Sequence, residues 1–435
     1  MNLISHQTNS LNGEVLCPGD KSISQRILII GFLTNSAIKI SGFLDAEDPN
    51  STLEALNAIG AAIKKDDDLI YLNKRENLLK SPNKDLDLGN SGTGMRLILG
   101  LISGLGISAT LVGDKSLSKR PMYRVINPLK AMGAEIQSNK GMAPLKILGG
   151  KIINDFKYEM PIASAQVKSS LMLAALSSNN SITISEPKTT RDHTERMVEY
   201  FGGDIKYGDK KNRGIIELNA KKLRAVKSYD IVGDFSSAAF IIVAVLISSN
   251  SKVLIKNVGL NSSRSGLLEI LSLMGANIEI KNKKMTCNED SGDILIQSSS
   301  LHAIDIPEDI IPNIIDEIPI LSIAAAFAEG TTYIRNASEL RVKETDRINA
   351  ISEGLKKLNV NHEVFDDGLS ISGTNNSISS DQEIDSFGDH RIAMSFLIAG
   401  IRSTNSIKVR NCKNIETSFP KFKDIMNKLG MEISE

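Results

Sequence analysis

Apolar and polar positions along the chain repeat as two series of short patterns, each at intervals of about 70 to 84 residues. In the first series an apolar helix end meets Gly or Asn and a strand follows, in copies centred on Gly60, Gly133, Gly202, Gly275, Asn359 and Gly430. In the second series a polar cluster opens an apolar helix, in copies that begin near Lys21, Ser91, Ser164, Ser236, Asp316 and Asp389. A glycine after a helix is common in any α/β protein, because it adopts the left-handed conformation readily. Two series that stay in step along the whole chain predict instead one supersecondary unit used six times.

The two helices of each repeat differ in their pattern of apolar residues. The helix after the polar cluster is apolar on all sides, as in residues 238–245, which is typical of a buried helix. The other helix is amphipathic, because Leu267, Ile270, Leu271 and Met274 share one helix face. We therefore predict an α/β fold of six strand–helix–strand–helix units, with sheets wrapped around an inner set of helices.

The size of the repeated units favours two domains. One hydrophobic core usually serves no more than about 250 to 300 residues. Six units would exceed that size, so we expect three units in each domain. The boundary is predicted at residues 229–234, after the basic and polar stretch 221–227. A second crossing near residues 17–20, where Pro and Gly interrupt the first strand, would place the opening strand with the C-terminal half. The predicted domains are residues 18–232, and residues 1–17 together with 233–435.

Composition excludes several classes of protein. The formal net charge is zero, aromatic residues make up 4% of the chain and Trp is absent, which argues against binding to nucleic acid. The spacing of Cys17, Cys287 and Cys412 is not that of paired or metal-binding cysteines. This is expected of a protein in a reducing compartment. The start of the chain does not resemble a secretory signal, and the longest apolar stretch, residues 240–247, is too short to cross a membrane. We expect a cytoplasmic protein that binds neither nucleic acid nor membrane.

Cations stand near the starts of many predicted helices, where the helix dipole disfavours them. They are Lys21, Arg26, Arg96, Arg120, Lys168, Arg191, Arg347 and Arg391. Backbone N–H groups, the dipole and these cations together bind anions well. The segments 19–22 and 113–116 resemble the end of a phosphate-binding P-loop, but an Asp replaces the glycine that the motif requires. The sequence therefore predicts substrates that are rich in phosphate and carboxylate groups. The site that binds them is not expected to be a P-loop.

Taken together, the polar clusters resemble the motifs of the 5-enolpyruvylshikimate-3-phosphate synthase family, the 3-phosphoshikimate 1-carboxyvinyltransferases. The matching segments appear in family order and are residues 18–26, 89–96, 119–122, 164–169, 185–196, 341–347, 388–394 and 417–420. The resemblance implies a two-domain inside-out α/β barrel, the enolpyruvyl transferase fold. It has three βαβαββ-type units in each domain and an active site in the cleft between the domains.

The same resemblance implies transfer of the enolpyruvyl group of phosphoenolpyruvate to the 5-hydroxyl of 3-phosphoshikimate, with release of phosphate. This is the shikimate-pathway step toward chorismate and the aromatic amino acids. The addition and elimination steps need acid and base groups among bound anions. By the matching motifs the catalytic residues would be Lys21, Asp316 and Glu344, with Lys21 surrounded by other cations. The resemblance implies no metal and no organic cofactor, and we expect a monomer.

Two sets of binding residues are implied by the same motifs. For phosphoenolpyruvate they are Lys21, Asn90, Gly92, Thr93, Arg120, Gln166, Arg347 and Arg391. For 3-phosphoshikimate they are Lys21, Ser22, Arg26, Ser164, Ala165, Gln166, Arg191, Asp316 and Lys343. The arginines suit these ligands because a planar guanidinium holds a carboxylate or phosphate at two points. Simpler interpretations stay open for some side chains: Asn90, Ser91, Thr93 and Asp316 could be helix caps, and His390 a structural hydrogen-bonding residue.

Departures from the common family pattern resemble its divergent second class. Ala165 stands where many members have Ser, and residues 191–193 stand where many have a Ser and a Tyr. These two changes shift binding of the 3-phosphate toward Arg191. Glu339 replaces an Asn of many members, and Thr417 replaces a Lys that reaches phosphoenolpyruvate.

Two alternatives remain open at this point. The sister enzyme that transfers enolpyruvyl to UDP-N-acetylglucosamine carries a Cys-bearing loop before its Arg-Pro pair, and residues 113–120 contain no Cys. A non-catalytic repeat scaffold that binds anions would keep the glycine series and the buried helices. Such a scaffold would not require Lys21, Asp316 and Glu344 to converge.

Overall fold

Buried and amphipathic helices alternate along the chain, as the sequence predicts. The computed structural model describes residues 1–76, 79–208, 214–374 and 378–435. Its α-helices are α1 (Lys21–Thr34), α2 (Glu47–Ala58), α3 (Gly92–Leu105), α4 (Tyr123–Ala131), α5 (Ala165–Ser178), α6 (His193–Tyr200), α7 (Phe235–Ile247), α8 (Gly266–Leu273), α9 (Ile311–Ile314), α10 (Ile318–Ala326), α11 (Arg347–Lys357), α12 (His390–Ala399) and α13 (Phe422–Leu429). Short 3-10 helices cover Leu117–Lys119, Ser338–Val342, Gly400–Arg402 and Cys412–Thr417. Helices α1, α3, α5, α7, α10 and α12 follow the six polar clusters.

The polar clusters supply the N-caps of most buried helices. Ser91 begins α3 by accepting a hydrogen bond from the Gly94 backbone N–H, and Asp20, Ser164, Asp234 and Asp389 do the same for their helices. A side-chain oxygen at this position satisfies an N–H that has no partner inside the helix. Helix α10 is different, because its N-cap Glu317 makes no such bond.

The first series of junctions marks the ends of the amphipathic helices. Each junction residue has a positive φ angle: 108° at Gly60, 104° at Gly133, 74° at Gly202, 89° at Gly275, 56° at Asn359 and 109° at Gly430. This is the left-handed conformation that Gly and Asn tolerate best after a helix. The repeat that the sequence predicts is therefore present in the backbone itself.

The described strands form six sheets, five with four strands and one with three. In the first sheet the strands lie in the order Ser228–Asp230, Ile38–Ser41, Leu69–Asn73, Ala62–Asp66. In the second sheet the order is Leu86–Asp87, Ala109–Val112, Met142–Gly150, Ala134–Asn139. In the third sheet it is Phe156–Glu159, Ile182–Ser185, Ile215–Asn219, Asp204–Tyr207. The other three are Asn12–Leu16, Lys252–Gly259, Glu289–Gln297, Asn277–Thr286; Thr331–Ile334, Gly368–Ser372, His362–Phe365; and Ile384–Asp385, Ile407–Arg410, Leu3–Ser5, Ile433–Ser434. In every four-stranded sheet the first two strands of these orders run parallel.

The chain divides into two compact units. The N-terminal unit comprises residues 19–231 and 286–289, and the C-terminal unit comprises residues 1–18, 232–285 and 290–435. The opening strand Asn12–Leu16 pairs in parallel with Lys252–Gly259 of the C-terminal unit, the pairing expected from a crossing near residue 18. Residues 286–289, at the tip of a long hairpin, belong to the N-terminal unit, which nothing in the sequence indicated.

Helices α3 and α5 approach each other more closely than ordinary side chains would permit. A Cβ atom at Gly100 would lie 2.1 Å from the Ser170 carbonyl oxygen, and one at Gly104 would lie 2.2 Å from the Ala174 carbonyl oxygen. Only glycine allows this contact between backbones. The contact sets the two helices side by side in the same direction, so that their N-terminal turns, which carry predicted site residues, are neighbours.

Helix α7 shows how the repeat builds a core. Each of its residues from Phe235 to Ile247 is buried, and burial of one large aliphatic side chain contributes about 1.5–3 kcal/mol. On the amphipathic α8, Leu267, Ile270 and Leu271 are buried while Leu273 is exposed. Both observations confirm the predicted division into inner and outer helices. Within the described residues, no helix is long and apolar enough to span a membrane.

Candidate active site

The predicted catalytic lysine begins α1 and pairs with a carboxylate. Lys21 Nζ lies 3.0 Å from Asp48 Oδ2, in the first turn of α2. The contact that the structure shows for Lys21 is therefore with an anion, whereas the sequence predicted cations around it. Asp48 was not predicted, because a carboxylate in the first turn of a helix is ordinary for helix stability.

Asn90 and Arg120 form a second predicted pair. Arg120 donates to Asn90 Oδ1 at 2.6 Å, and Asn90 Nδ2 donates to Asp114 Oδ2 at 2.7 Å. Asn90 is thus held between a cation and a carboxylate and does not cap α3, a role that Ser91 fills. A Cβ atom at Gly92 would lie 3.1 Å from an Arg120 NH1 nitrogen, so a side chain there would crowd the guanidinium.

Gln166 connects the N-terminal turns of α3 and α5. Its amide nitrogen donates to Thr93 Oγ1 at 2.9 Å, and its amide oxygen accepts from Arg96 NH1 at 2.7 Å. Thr93 and Gln166 were both predicted to bind ligand, and the structure brings them together. The close packing at Gly100 and Gly104 is the physical reason for this contact.

The residues predicted for the 3-phosphate lie at the start of α5 and before α6. Ser164 caps α5 and Ala165 is its first residue, while Arg191 lies in the segment that leads into α6. Arg26 is buried, and its guanidinium donates to the Ser22 carbonyl at 3.1 Å and to Thr194 Oγ1 at 2.8 Å. Arg26 therefore links α1 to the first turn of α6.

Lys168 is a correction to the interpretation of the helix-start cations. Its ammonium group lies 2.7 Å from Glu195 Oε1 and 3.2 Å from Glu186 Oε1, and its side chain is 1% exposed. Two internal carboxylates thus compensate this cation, and a bound anion is not needed to explain it. The contact between Lys168 on α5 and Glu195 on α6 explains why a cation stands near a helix start, where the local dipole disfavours it.

The C-terminal unit collects three carboxylates around one guanidinium. Arg347, at the start of α11, donates to Asp389 Oδ2 at 2.7 Å, to Glu344 Oε2 at 2.6 Å and to Asp316 Oδ1 at 3.3 Å. Burial lowers the pKa of Arg347, but the three carboxylates raise it more, so the net shift is upward. Two predicted catalytic carboxylates, Glu344 and Asp316, therefore share one cation.

Asp316 lies among cations and does not cap α10. Lys343 Nζ is 3.6 Å from Asp316 Oδ1, and Arg391 NH2 is 3.9 Å from Asp316 Oδ2. The N-cap position of α10 belongs to Glu317. The helix-cap interpretation of Asp316 is therefore wrong, and its carboxylate contacts three positive groups, those of Lys343, Arg347 and Arg391.

Arg391 is fixed by buried groups that the sequence did not single out. It donates from NH1 to the Asp316 carbonyl at 2.9 Å and lies 3.5 Å from Glu317 Oε1. Glu317 in turn accepts a hydrogen bond from Ser236, which also accepts from Arg264 at 2.6 Å. The apolar run after residue 317 offered no signal that a buried carboxylate would orient a site arginine.

Thr417, which replaces the family lysine, is buried and bonded to the backbone. Its hydroxyl donates to the Asn414 carbonyl at 2.7 Å inside the 3-10 helix Cys412–Thr417. A threonine hydroxyl carries no charge, so Thr417 cannot supply the positive charge of the lysine that it replaces. His390 is buried at the start of α12.

Both units therefore place guanidinium groups, an ammonium group and carboxylates at or just before the first turns of helices. Cations at helix starts can bind phosphate and carboxylate groups, and the carboxylates can exchange protons. Such a combination on this fold defines an enolpyruvyl transferase.

Comparison with known proteins gives the family. The family model described as EPSP synthase (3-phosphoshikimate 1-carboxyvinyltransferase) matches residues 5–426. The 3-phosphoshikimate 1-carboxyvinyltransferase of Petrotoga mobilis is 47% identical over 426 residues, which cover 97% of this chain and 98% of the relative. That of Ruthia magnifica is 44% identical over 428 residues, with 98% and 97% coverage. The chain belongs to the EPSP synthase family.

Solved structures agree with this assignment. The EPSP synthase from Acinetobacter baumannii is 38% identical, with a TM-score of 0.87 and complete coverage of both chains. The enolpyruvyl transferase NikO from Streptomyces tendae has a TM-score of 0.76 at 16% identity and covers 100% of this chain and 98% of its own, a likeness that shows the fold alone.

Family membership confirms the predicted enolpyruvyl transferase fold and the predicted enzyme. The chain is a 3-phosphoshikimate 1-carboxyvinyltransferase, a transferase of the shikimate pathway that acts on phosphoenolpyruvate and 3-phosphoshikimate. Neither the UDP-N-acetylglucosamine alternative nor the scaffold alternative is supported by these matches.

Proposed function

We propose that Lys21, Glu344 and Asp316 carry the proton transfers of this reaction. Asp316 takes the proton of the 5-hydroxyl group while the oxygen of that hydroxyl bonds to the central carbon of phosphoenolpyruvate. In the same step the methylene carbon of phosphoenolpyruvate gains a proton. Loss of one proton from the new methyl group and cleavage of the bond to the phosphate oxygen then restore the double bond, and the released phosphate takes up the proton that the 5-hydroxyl gave to Asp316. Lys21 and Glu344 exchange protons with the methylene carbon in these two steps. The observation that carries the proposal is the cluster in which Arg347 contacts both Glu344 and Asp316.

The protonation state of Glu344 depends on the ligands in this proposal. Its hydrogen bond from Arg347 favours the carboxylate form. Bound phosphoenolpyruvate would compete for Arg347 with its own negative groups, which weakens that preference. Glu344 therefore becomes protonated only when the enzyme is loaded.

We assign the binding of phosphoenolpyruvate to the guanidinium groups of Arg120, Arg347 and Arg391, together with polar residues of the same motifs. Arg120 and Arg391 are already oriented by the Asn90 amide and the Asp316 carbonyl, so less freedom is lost on binding. The full set is Lys21, Asn90, Gly92, Thr93, Arg120, Gln166, Arg347 and Arg391.

We assign 3-phosphoshikimate to the remaining predicted residues. Ser22 and Arg26 hold its carboxylate, and Ser164, Ala165 and Arg191 hold its 3-phosphate at the start of α5. Gln166 lies beneath the ring, and Lys21, Asp316 and Lys343 contact its hydroxyl groups.

The reaction also sets conditions on the two units. Because the proposed acid and base groups come from both units, we propose that the units act as two domains that close on one pair of ligands and exclude water. We further propose that the enzyme works as a monomer in the cytoplasm.

The purified enzyme is expected to release phosphate from phosphoenolpyruvate when 3-phosphoshikimate is the acceptor. UDP-N-acetylglucosamine at the same concentration should give background rates, because its nucleotide has no matching set of residues in the assignment above. The measurement is a phosphate-release assay with each acceptor in turn, and a reaction without acceptor serves as the control. Turnover with UDP-N-acetylglucosamine alone, or with neither acceptor, would contradict the proposed function.

Replacement of Glu344 by Ala is expected to lower turnover by about 10²- to 10⁴-fold, the usual contribution of a general acid or base. The affinity for 3-phosphoshikimate, measured by equilibrium binding, should change little, because Glu344 is not assigned to that ligand. Glu353→Ala, at an exposed glutamate of α11, is the matched control and should keep the wild-type rate. A Glu344→Ala enzyme as fast as that control would remove Glu344 from proton transfer.

A further inference from the structure

A buried cluster of three charged side chains lies outside the residues assigned above. Lys168 on α5 contacts Glu186, which follows the strand Ile182–Ser185, and Glu195 in the first turn of α6. The Lys168 and Glu195 side chains are 1% exposed and that of Glu186 is 2% exposed. Burial lowers the pKa of Lys168, but Glu195 and Glu186 raise it more, so the net shift is upward and the ammonium form is favoured. The Lys168 ammonium group is enclosed by the protein and paired with two glutamates, so it does not face a ligand.

Stability alone is a poor account of this cluster. Apolar side chains of similar volume in place of a buried ion cluster are often neutral or stabilising, because the buried charges lose their hydration. Glu195 Oε2, moreover, is buried without a hydrogen-bond partner among the described residues. A cluster with such costs suggests a role in holding specific segments in place.

The cluster and the residues next to it hold the chain on either side of Arg191. Glu186 accepts hydrogen bonds from the Thr190 backbone N–H at 3.1 Å and from the Thr190 hydroxyl at 2.7 Å. On the other side, Thr194 accepts from Arg26 at 2.8 Å and pairs with Ser169 Oγ at 2.7 Å. The chain is thus fixed one residue before Arg191 and three residues after it.

Lys168 also connects these segments to the start of α5. It lies four residues after Ser164, and residues at this spacing share one helix face. The ammonium group therefore joins the face that carries the Ser164 cap to the two glutamates next to the Arg191 segment. Ser164 and Arg191 are in this way connected through Lys168, Glu186 and Thr190.

We propose that Lys168, with Glu186, is a positioning group that fixes Arg191 relative to Ser164 for binding of a phosphate monoester dianion. This inference rests on the proposed function, in which that dianion is the 3-phosphate of 3-phosphoshikimate. Lys168 acts through Arg191 and does not touch the ligand.

The test compares the KM values of the two substrates in two variants. Thr190→Val removes the hydroxyl bond to Glu186 while keeping the side-chain shape, and Lys168→Met removes the central cation. Thr190→Val should raise the KM for 3-phosphoshikimate by about threefold or more, and Lys168→Met should raise it by about tenfold or more. Effects of this size are expected when a charge-assisted hydrogen bond is lost or misplaced. The KM for phosphoenolpyruvate should stay within about twofold. The control Ser103→Ala removes a buried hydroxyl of α3 that donates to the Leu99 carbonyl and should change neither value.

A double-mutant cycle distinguishes positioning from general damage. In an Arg191→Ala background, Lys168→Met should raise the KM for 3-phosphoshikimate by less than about twofold more, because the group it positions is gone. Equal effects of Lys168→Met with and without Arg191, or equal effects on both substrates, would overturn the proposal.

Thr190→Val decides the matter if Lys168→Met does not fold. An unchanged KM for 3-phosphoshikimate in Thr190→Val would then reject the inference. A wild-type enzyme that is inactive with 3-phosphoshikimate would instead reject the proposed function, so the two failures are distinguishable.

Discussion

Replacement of Lys21 by Met is expected to lower turnover by about 10²- to 10⁴-fold while the protein stays folded. Lys21 is partly exposed at the first residue of α1, and its ammonium group contacts Asp48 at 3.0 Å. Met keeps the length and apolar stem of the side chain but carries no proton to exchange. Loss of one partly exposed ion pair should change the free energy of unfolding by no more than about 1 kcal/mol. Steady-state turnover and urea denaturation of the same preparation measure the two quantities.

Lys65→Met is the matched control for Lys21→Met. Lys65 forms an ion pair with Asp45 in the same unit, and its side chain is more exposed than that of Lys21. It belongs to neither proposed ligand set, so turnover should match the wild type. If Lys21→Met and Lys65→Met turned over equally fast, Lys21 would have no part in the chemistry.

Replacement of Arg347 by Met is expected to lower the free energy of unfolding by about 3–5 kcal/mol, the usual effect of removing one partner from a buried ion pair. Arg347 is 1% exposed and Asp389, its closest buried partner, is 0% exposed. Without the guanidinium, the carboxylates of Asp389, Glu344 and Asp316 lose a shared positive neighbour. Urea denaturation measures the change, and turnover should also fall because two proposed catalytic groups lose their orientation.

Two further variants test the cause of that instability. Arg410→Met is the matched control, since Arg410 contacts Asp385 and Glu383 but is nearly half exposed, and it should change stability by less than about 1 kcal/mol. Adding Asp389→Asn to Arg347→Met should restore part of the lost stability. Asn has no charge to leave buried, and it can still cap α12 as Asp389 does. A stability loss no larger in Arg347→Met than in Arg410→Met would show that the three carboxylates do not depend on Arg347.

The helix boundaries of this protein were predictable because they depend on neighbouring residues. Ser91 and Ser164 cap the helices that they precede, and Gly60 and Gly133 adopt the left-handed conformation after the helices that they follow. Caps and junctions act over three or four residues. A repeat built from them is therefore visible in the sequence before any packing is known.

The partners of the charged residues were not predictable in the same way. Lys168 at the start of α5 suggested a bound anion, but Glu186 and Glu195 neutralise it inside the protein. Asp316 fitted the pattern of a helix cap, but its carboxylate faces Arg347 and Lys343. In both cases a residue far away in sequence decides the role, and no local spacing encodes it.

The sequence by itself determined the six-fold repeat, the buried and amphipathic helices, and the motifs that indicated the family. These follow from helix periodicity, capping and backbone conformation, which are local properties of the chain. Only the tertiary structure decided which carboxylate meets which cation or amide: Asp48 with Lys21, Asp389 with Arg347 and Asp114 with the Asn90 amide. Coulomb attraction and hydrogen bonding require a separation of a few ångströms, and packing between distant elements alone sets that separation.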